Sequence, residues 1–142
     1  MKLHQIAFAV AALAAGSANA AISPTFAIYL DGATAVGKSV NDVAKAMCAS
    51  SAVMQEYKDA SGKIAGVYCD NVNTTDSGLA AGTKLFVSKN NKDGSLEAFD
   101  RAIKRNAQTT VLDEATCPAP TYAGTVLTCT GTKLVNAHGG FS

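Results

Sequence analysis

Four cysteines, Cys48, Cys69, Cys117 and Cys129, constrain this chain more than any other feature. In an exported protein an even number of cysteines reads as disulfides; in a reducing compartment the same residues read as metal or redox sites. The first twenty residues bear on which applies. Met1-Lys2-Leu3-His4 is a short basic start, Ile6 to Ala15 is an unbroken apolar run, and Gly16-Ser17-Ala18-Asn19-Ala20 ends in an A-x-A pattern. This order of three parts is that of a bacterial-style secretory signal, with cleavage expected after Ala20 and a periplasmic or secreted destination. The apolar run is too short to span a bilayer. Residue 21 is Ala, so nothing suggests a lipid anchor, and no later segment is apolar enough for a membrane helix. Ala21–Ser142 is expected to form a single α/β domain.

Three cysteine pairings are possible. Cys48–Cys69 with Cys117–Cys129 is favoured, because each bridge closes a local loop between neighbouring predicted elements. No C-x-x-C pair occurs, and the segment after the leader holds a single histidine, His138, so zinc-ligand and redox spacings are missing. No metal and no cofactor are expected.

Charge excludes further classes. The 142 residues carry 12 Lys+Arg and 11 Asp+Glu, for a net charge of +1. Such a balance excludes a nucleic-acid binder driven by a basic surface and a highly charged disordered tail. With no Trp and 6% aromatic residues, the chain is also poor in stacking platforms for sugars or bases.

Periodicity outlines the elements. Phe26, Ile28 and Leu30 alternate as in a strand. Val40, Val43, Ala44 and Met47 share one helical face in a segment that opens at Gly37 and closes at Cys48. Residues 53–57 and 64–69 flank Asp59-Ala60-Ser61-Gly62 and read as a hairpin. Residues 70–82 read as a loop containing a chance Asn73-Thr74-Thr75 sequon, and 84–88 as a buried strand. Asn90 to Gly94 breaks the chain before a helix with Ser95 as N-cap, Glu97 at its positive end and Leu96, Phe99 and Ile103 on one face. Residues 109–112 read as a short strand, and 117–129 as a proline-containing loop. Segments 126–130 and 133–137 are expected to pair as a hairpin about Gly131.

A strand running into a glycine-containing loop and then a helix occurs twice. This arrangement directs backbone N–H groups out of the carboxyl edge of a sheet, where anions bind. Three segments in order also resemble the phosphate-binding proteins of ABC importers. Leu30-Asp31-Gly32-Ala33-Thr34-Ala35 is similar to their strand–GA[ST]–helix opening. Val87 to Ser95 stands where that family has a Ser/Gly-rich loop before a helix, here richer in Asn and Lys. His138-Gly139-Gly140-Phe141-Ser142 is similar to their FGASD-type loop, cut before its Asp. Tyr57-Lys58-Asp59 and Tyr68-Cys69 bring the chain nearer to uncharacterised exported proteobacterial relatives of the family.

The resemblance implies a periplasmic-binding-protein-like lobe carrying β-hairpins and two disulfides, in a fold that closes on an oxyanion. It implies ligand contacts from Gly32, Ala33, Thr34 and Ala35, from Ser88, Gly94 and Ser95, and from Gly139, Gly140 and Ser142, with Lys89 and Lys92 as added charge. A membrane transporter as partner follows from the resemblance alone. A two-lobed fold is longer than this chain, so the expectation is an incomplete lobe whose third ligand loop is cut at Ser142. The plainer expectations are that Thr34 and Ser95 cap helices and that Lys89 and Lys92 are solvated. A small disulfide-bonded structural or adhesive cell-surface module is the alternative function. An enzyme is not expected: His138 has no nucleophile and acid arranged around it in sequence, and no G-x-S-x-G turn is present.

Overall fold

The computed structural model describes residues 21–92 and 108–141. The expected signal segment, the helix expected after Ser95, and Ser142 lie outside the described residues. Among the described residues, eight strands and two helices follow in order: β1 Phe26–Gly32, α1 Gly37–Ala46, β2 Met54–Lys58, β3 Ile64–Cys69, α2 Thr74–Ser77, β4 Leu85–Asn90, β5 Gln108–Leu112, β6 Leu127–Thr128, β7 Thr132–Asn136 and β8 Gly139–Phe141. Six strands form one mixed sheet in the order β6-β2-β3-β4-β1-β8, and β5 pairs with β7 in a separate ribbon. The fold is mixed α/β with a core that is mainly sheet.

Alternation along the strands builds two apolar layers. Tyr57, Ile64, Tyr68 and Phe86 point to one face, where Ile22, Leu112, Cys117 and Cys129 cover them. Val67, Cys69, Leu85 and Val87 point to the other, under Ala44, Cys48 and Val72. The hairpin expected over 53–69 forms as β2 and β3, with Tyr57 opposite Gly66. Both favoured disulfides are present: Cys48–Cys69 joins the end of α1 to β3 with Cα atoms 5.2 Å apart, and Cys117–Cys129 spans 4.1 Å. Each closed loop restricts the unfolded chain by roughly 3 kcal/mol.

Two local expectations are corrected. Residues 126–130 and 133–137 do not pair with each other. Leu127 lies parallel to Tyr57 in the main sheet, and β7 runs antiparallel to β5 with Leu134 opposite Thr110. The loop expected over 70–82 contains α2, because the Asn73 side chain accepts hydrogen bonds from the N–H groups of Thr75 and Asp76 and caps one helical turn. Within α1, Ala44 is buried but Val43 is 61% exposed. The helix settles over β3 and β4 through Ala44, so its valine stripe turns toward the open side of the sheet.

The long loop before β6 is held by buried polar groups. Gln55 Oε1 accepts from the N–H groups of Thr121 and Tyr122, both at 3.0 Å. Its amide donates to Thr125 O at 2.6 Å, and Tyr57 Oη donates to Pro118 O at 2.9 Å. These bonds satisfy loop groups that neither sheet nor helix reaches.

Candidate functional site

Strands β4, β1 and β8 are neighbours and parallel, with Tyr29 beside Ser88 and Asp31 beside Gly140. Their carboxyl ends therefore share one edge of the sheet. The chain leaves β1 there through Gly32, whose φ of 117° suits glycine. A 3-10 turn over Thr34–Val36 then leads into α1. The end of β4 meets this turn: Thr34 Oγ1 donates to Asn91 O at 2.9 Å, and Asn91 N donates to Lys63 O at 2.9 Å.

An open cleft of about 520 Å³ lies at this edge, lined by Thr34, Gly37, Lys38, Asn41, Lys63, Asn91 and other residues. Lys92 lines it as well. Gly37 opens α1, and the first turn of that helix holds no acidic residue, so its partial positive charge stands uncompensated from within. Lys38 pairs with Asp42 one turn on, at 2.6 Å, and the hydrogen bond it donates to the Asp42 carboxylate raises the Lys38 pKa. Lys63 is presented by a braced turn, in which the Asp59 carboxylate accepts from Ile64 N at 2.9 Å and from the Ser61 hydroxyl. Burial pushes the Asp59 carboxyl up, and these bonds outweigh it, leaving its pKa below the ordinary value. Among the described residues neither Lys63 nor Lys92 forms an ion pair.

Behind the cleft stands Lys89. It was expected in a solvated polar loop; the structure places it inside β4, 1% exposed. Its ammonium donates to Gly32 O at 3.2 Å, Ala33 O at 3.1 Å and Asn90 O at 3.3 Å, and to Asn91 Oδ1. Burial lowers its pKa, and the charge of Asp31 opposes that shift. All peptide bonds of the described chain are trans, and in a trans peptide the N–H points opposite its carbonyl. With two successive carbonyls aimed at Lys89, the N–H groups of Ala33 and Thr34 are turned away from it.

The three expected segments thus reach one sheet edge, but few of their residues line the cleft. Thr34 does; its hydroxyl is donated to Asn91 rather than capping α1, whose N-cap position is Val36 with no side-chain bond. Gly32 and Ala33 are buried behind it, and Ala35 is exposed on the turn. Ser88 is enclosed, its hydroxyl accepting from Leu112 N at 3.2 Å. Gly139 and Gly140 are not in a loop: they form edge strand β8 along Leu30 and Asp31. Gly94, Ser95 and Ser142 lie outside the described residues. Sequence reasoning missed Gly37, Lys38, Asn41, Lys63 and Asn91. Only position could have flagged them: two open a predicted helix, and Lys63 follows a turn.

A second polar group lies on the opposite face. Glu114, 6% exposed, accepts from Tyr29 Oη and pairs with Lys133, while Lys133 Nζ sits 5.3 Å from the centre of the Tyr29 ring. Burial, then the bond to Glu114, raises the Tyr29 pKa, keeping the phenol a donor. His138 stacks on Tyr29 at 5.4 Å, and its Nδ1 accepts from Tyr29 N at 3.0 Å. This group braces the β5–β7 ribbon and β8 against β1. Beside α1, an apolar groove of about 400 Å³ is lined by Ile28, Leu30, Val36, Val40, Val43 and Met47, among others. Among the described residues, no helix is long and apolar enough to cross a membrane, and no three His, Cys, Asp or Glu residues are grouped to hold a metal ion.

No family model matches the chain, and no curated protein or solved structure matches it.

Proposed function

We propose that this chain is an exported solute-binding protein for phosphate or a similar oxyanion, and that the cleft beside β1 and β4 is its anion site. One observation carries the reading. The carboxyl edge of two parallel strands opens onto the first turn of α1, and Lys38, Lys63 and Lys92 line the same cleft. A helix start and the ammonium groups of Lys63 and Lys92, which form no ion pair among the described residues, favour an anion for the same electrostatic reason. A cleft of this size is within the range of small-molecule sites. The two disulfides, with no long apolar helix among the described residues, are compatible with the exported location that the leader suggests. Membership of a binding-protein-like lobe, with a second lobe and a membrane transporter as partners, follows from the sequence resemblance.

Calorimetric titration with inorganic phosphate and with sulfate tests the reading. Binding of at least one anion is expected, and replacing Lys63 and Lys92 together by alanine should weaken it about tenfold or more. The second reading, a structural or adhesive surface module, is favoured by the apolar groove and the exposed Val43 that flanks it. A protein that self-associates and gives no heat with either anion would replace the first reading with the second.

A further inference from the structure

We propose that the Asn91 carboxamide is a resident stand-in for the anion, displaced from Lys89 when a ligand enters. The inference rests on reading the cleft as an oxyanion site, and it adds the gate that regulates that site.

Among the described residues, four oxygens accept hydrogen bonds from the Lys89 ammonium. Three are backbone carbonyls, of Gly32, Ala33 and Asn90, fixed by the end of β4 and by the turn after β1. The fourth, Asn91 Oδ1, is the only one on a side chain, and Asn91 lines the cleft. It alone can leave by rotation about side-chain bonds, which needs no backbone movement. The Asn91 backbone stays anchored at both of its polar groups, by Lys63 O and by the Thr34 hydroxyl.

The same oxygen stands at the start of α1. A Cβ built on Gly37 would lie 2.6 Å from Asn91 Oδ1. The missing side chain at Gly37 is what lets the carboxamide lie there. Asn91 Oδ1 thus occupies the point where a buried ammonium and a helix start converge. An amide oxygen carries only a partial negative charge. A phosphate oxygen in its place would make a hydrogen bond with charge on both partners, the stronger kind. Lys38, Lys63 and Lys92 would face the remaining oxygens across the cleft. Because the resident group competes, the observed affinity is reduced by the fraction of molecules in which Asn91 has swung away.

The test is titration with inorganic phosphate of the wild type, Asn91→Ala and Asn91→Asp, together with NMR of the Asn91 side-chain amide. Thermal melts of each protein confirm that it is folded. Asn91→Ala should bind about tenfold more tightly, the worth of removing one competing charge-assisted hydrogen bond. Asn91→Asp, which places a carboxylate against Lys89, should lose binding. In the wild type the Asn91 side-chain amide signals should shift as phosphate saturates. If Asn91→Ala binds no better and those signals stay put, while the Lys63 and Lys92 substitutions still weaken binding, the gate is wrong and the anion site stands. If neither wild type nor Asn91→Ala takes phosphate, both fall.

Discussion

Replacing Gly66 by alanine probes the packing that holds the site-bearing sheet together. Gly66 lies in β3 between Tyr57 of β2 and Ser88 of β4. An added Cβ would stand 3.0 Å from Cε2 and Cζ of Phe86 and 3.1 Å from Cδ1 of Leu112. Neither neighbour can step aside. Phe86 and Leu112 are both fully buried, the Phe86 ring meets Tyr57 edge-on at 6.5 Å, and Leu112 N is bonded to Ser88 Oγ. Overpacking of this kind costs about 1–3 kcal/mol. Alanine recovers about 0.4–1 kcal/mol by reducing the freedom of the unfolded chain. The balance is a loss of about 1–2 kcal/mol, or about 4–8 °C in Tm for a domain near this size. Urea unfolding and a thermal melt measure it. Gly139→Ala is the control, because its Cβ would meet only Leu30 Cδ2 at an ordinary 3.4 Å, and it should not lower Tm. Gly66→Ala melting at or above the wild type would refute the placement of β5 against Phe86.

Two further predictions follow from the cross-links and the buried charge. Serine at both Cys48 and Cys69, or at both Cys117 and Cys129, should each cost roughly 3 kcal/mol in urea unfolding; a loss below about 1 kcal/mol for either pair would show that its bridge contributes little. Lys89 predicts a pH dependence whose sign can be worked out. Burial lowers its folded pKa, so between that value and the unfolded value of about 10.4 the unfolded chain binds more protons. Stability relative to Lys89→Met should therefore rise with pH across that alkaline window, and below it the full cost of burying the charge is present. Paired urea titrations at neutral pH and near pH 10 read the difference, and a difference that falls with pH would contradict the burial.

Local features were legible in the sequence, and distant pairings were not. Alternation at Phe26, Ile28 and Leu30, the turn at Ser61-Gly62 and the short spacing of the cysteine pairs all act within a few residues or one loop, and all three appear in the structure. Gly131 misled because glycine reads as a turn. Its φ is not positive, unlike that of Gly62 or Gly78. Its bare Cα serves close approach: an added Cβ would lie 2.9 Å from Thr116 Cγ2, and Gly131 N donates to Thr116 Oγ1 at 2.9 Å. That contact separates β6 from β7 and sends them to different sheets. The same limit applies to the cleft. Lys63 and Lys92 stand 29 positions apart in sequence and meet only because β3 pairs with β4. In Ser88-Lys89-Asn90-Asn91-Lys92, composition reads as a solvated loop, yet β4 runs through Asn90 and carries Lys89 into the interior.

Lys89 links the stability of the fold to the proposed activity. A buried ammonium held by neutral oxygens loses more hydration than those bonds return unless other charge compensates. Asp31 supplies part of the compensation through space. A methionine would fill the space without burying a charge, but it would leave the carbonyls of Gly32, Ala33 and Asn90 without their donor. The positions of the Lys89 partners suggest what the charge provides instead. It draws the carbonyls of Gly32 and Ala33 inward and holds the Asn91 carboxamide over the start of α1. If this is why lysine stands there, Lys89→Met should lose affinity for phosphate even in the molecules that remain folded. With a purely structural lysine, stability drops and any anion affinity survives in those molecules.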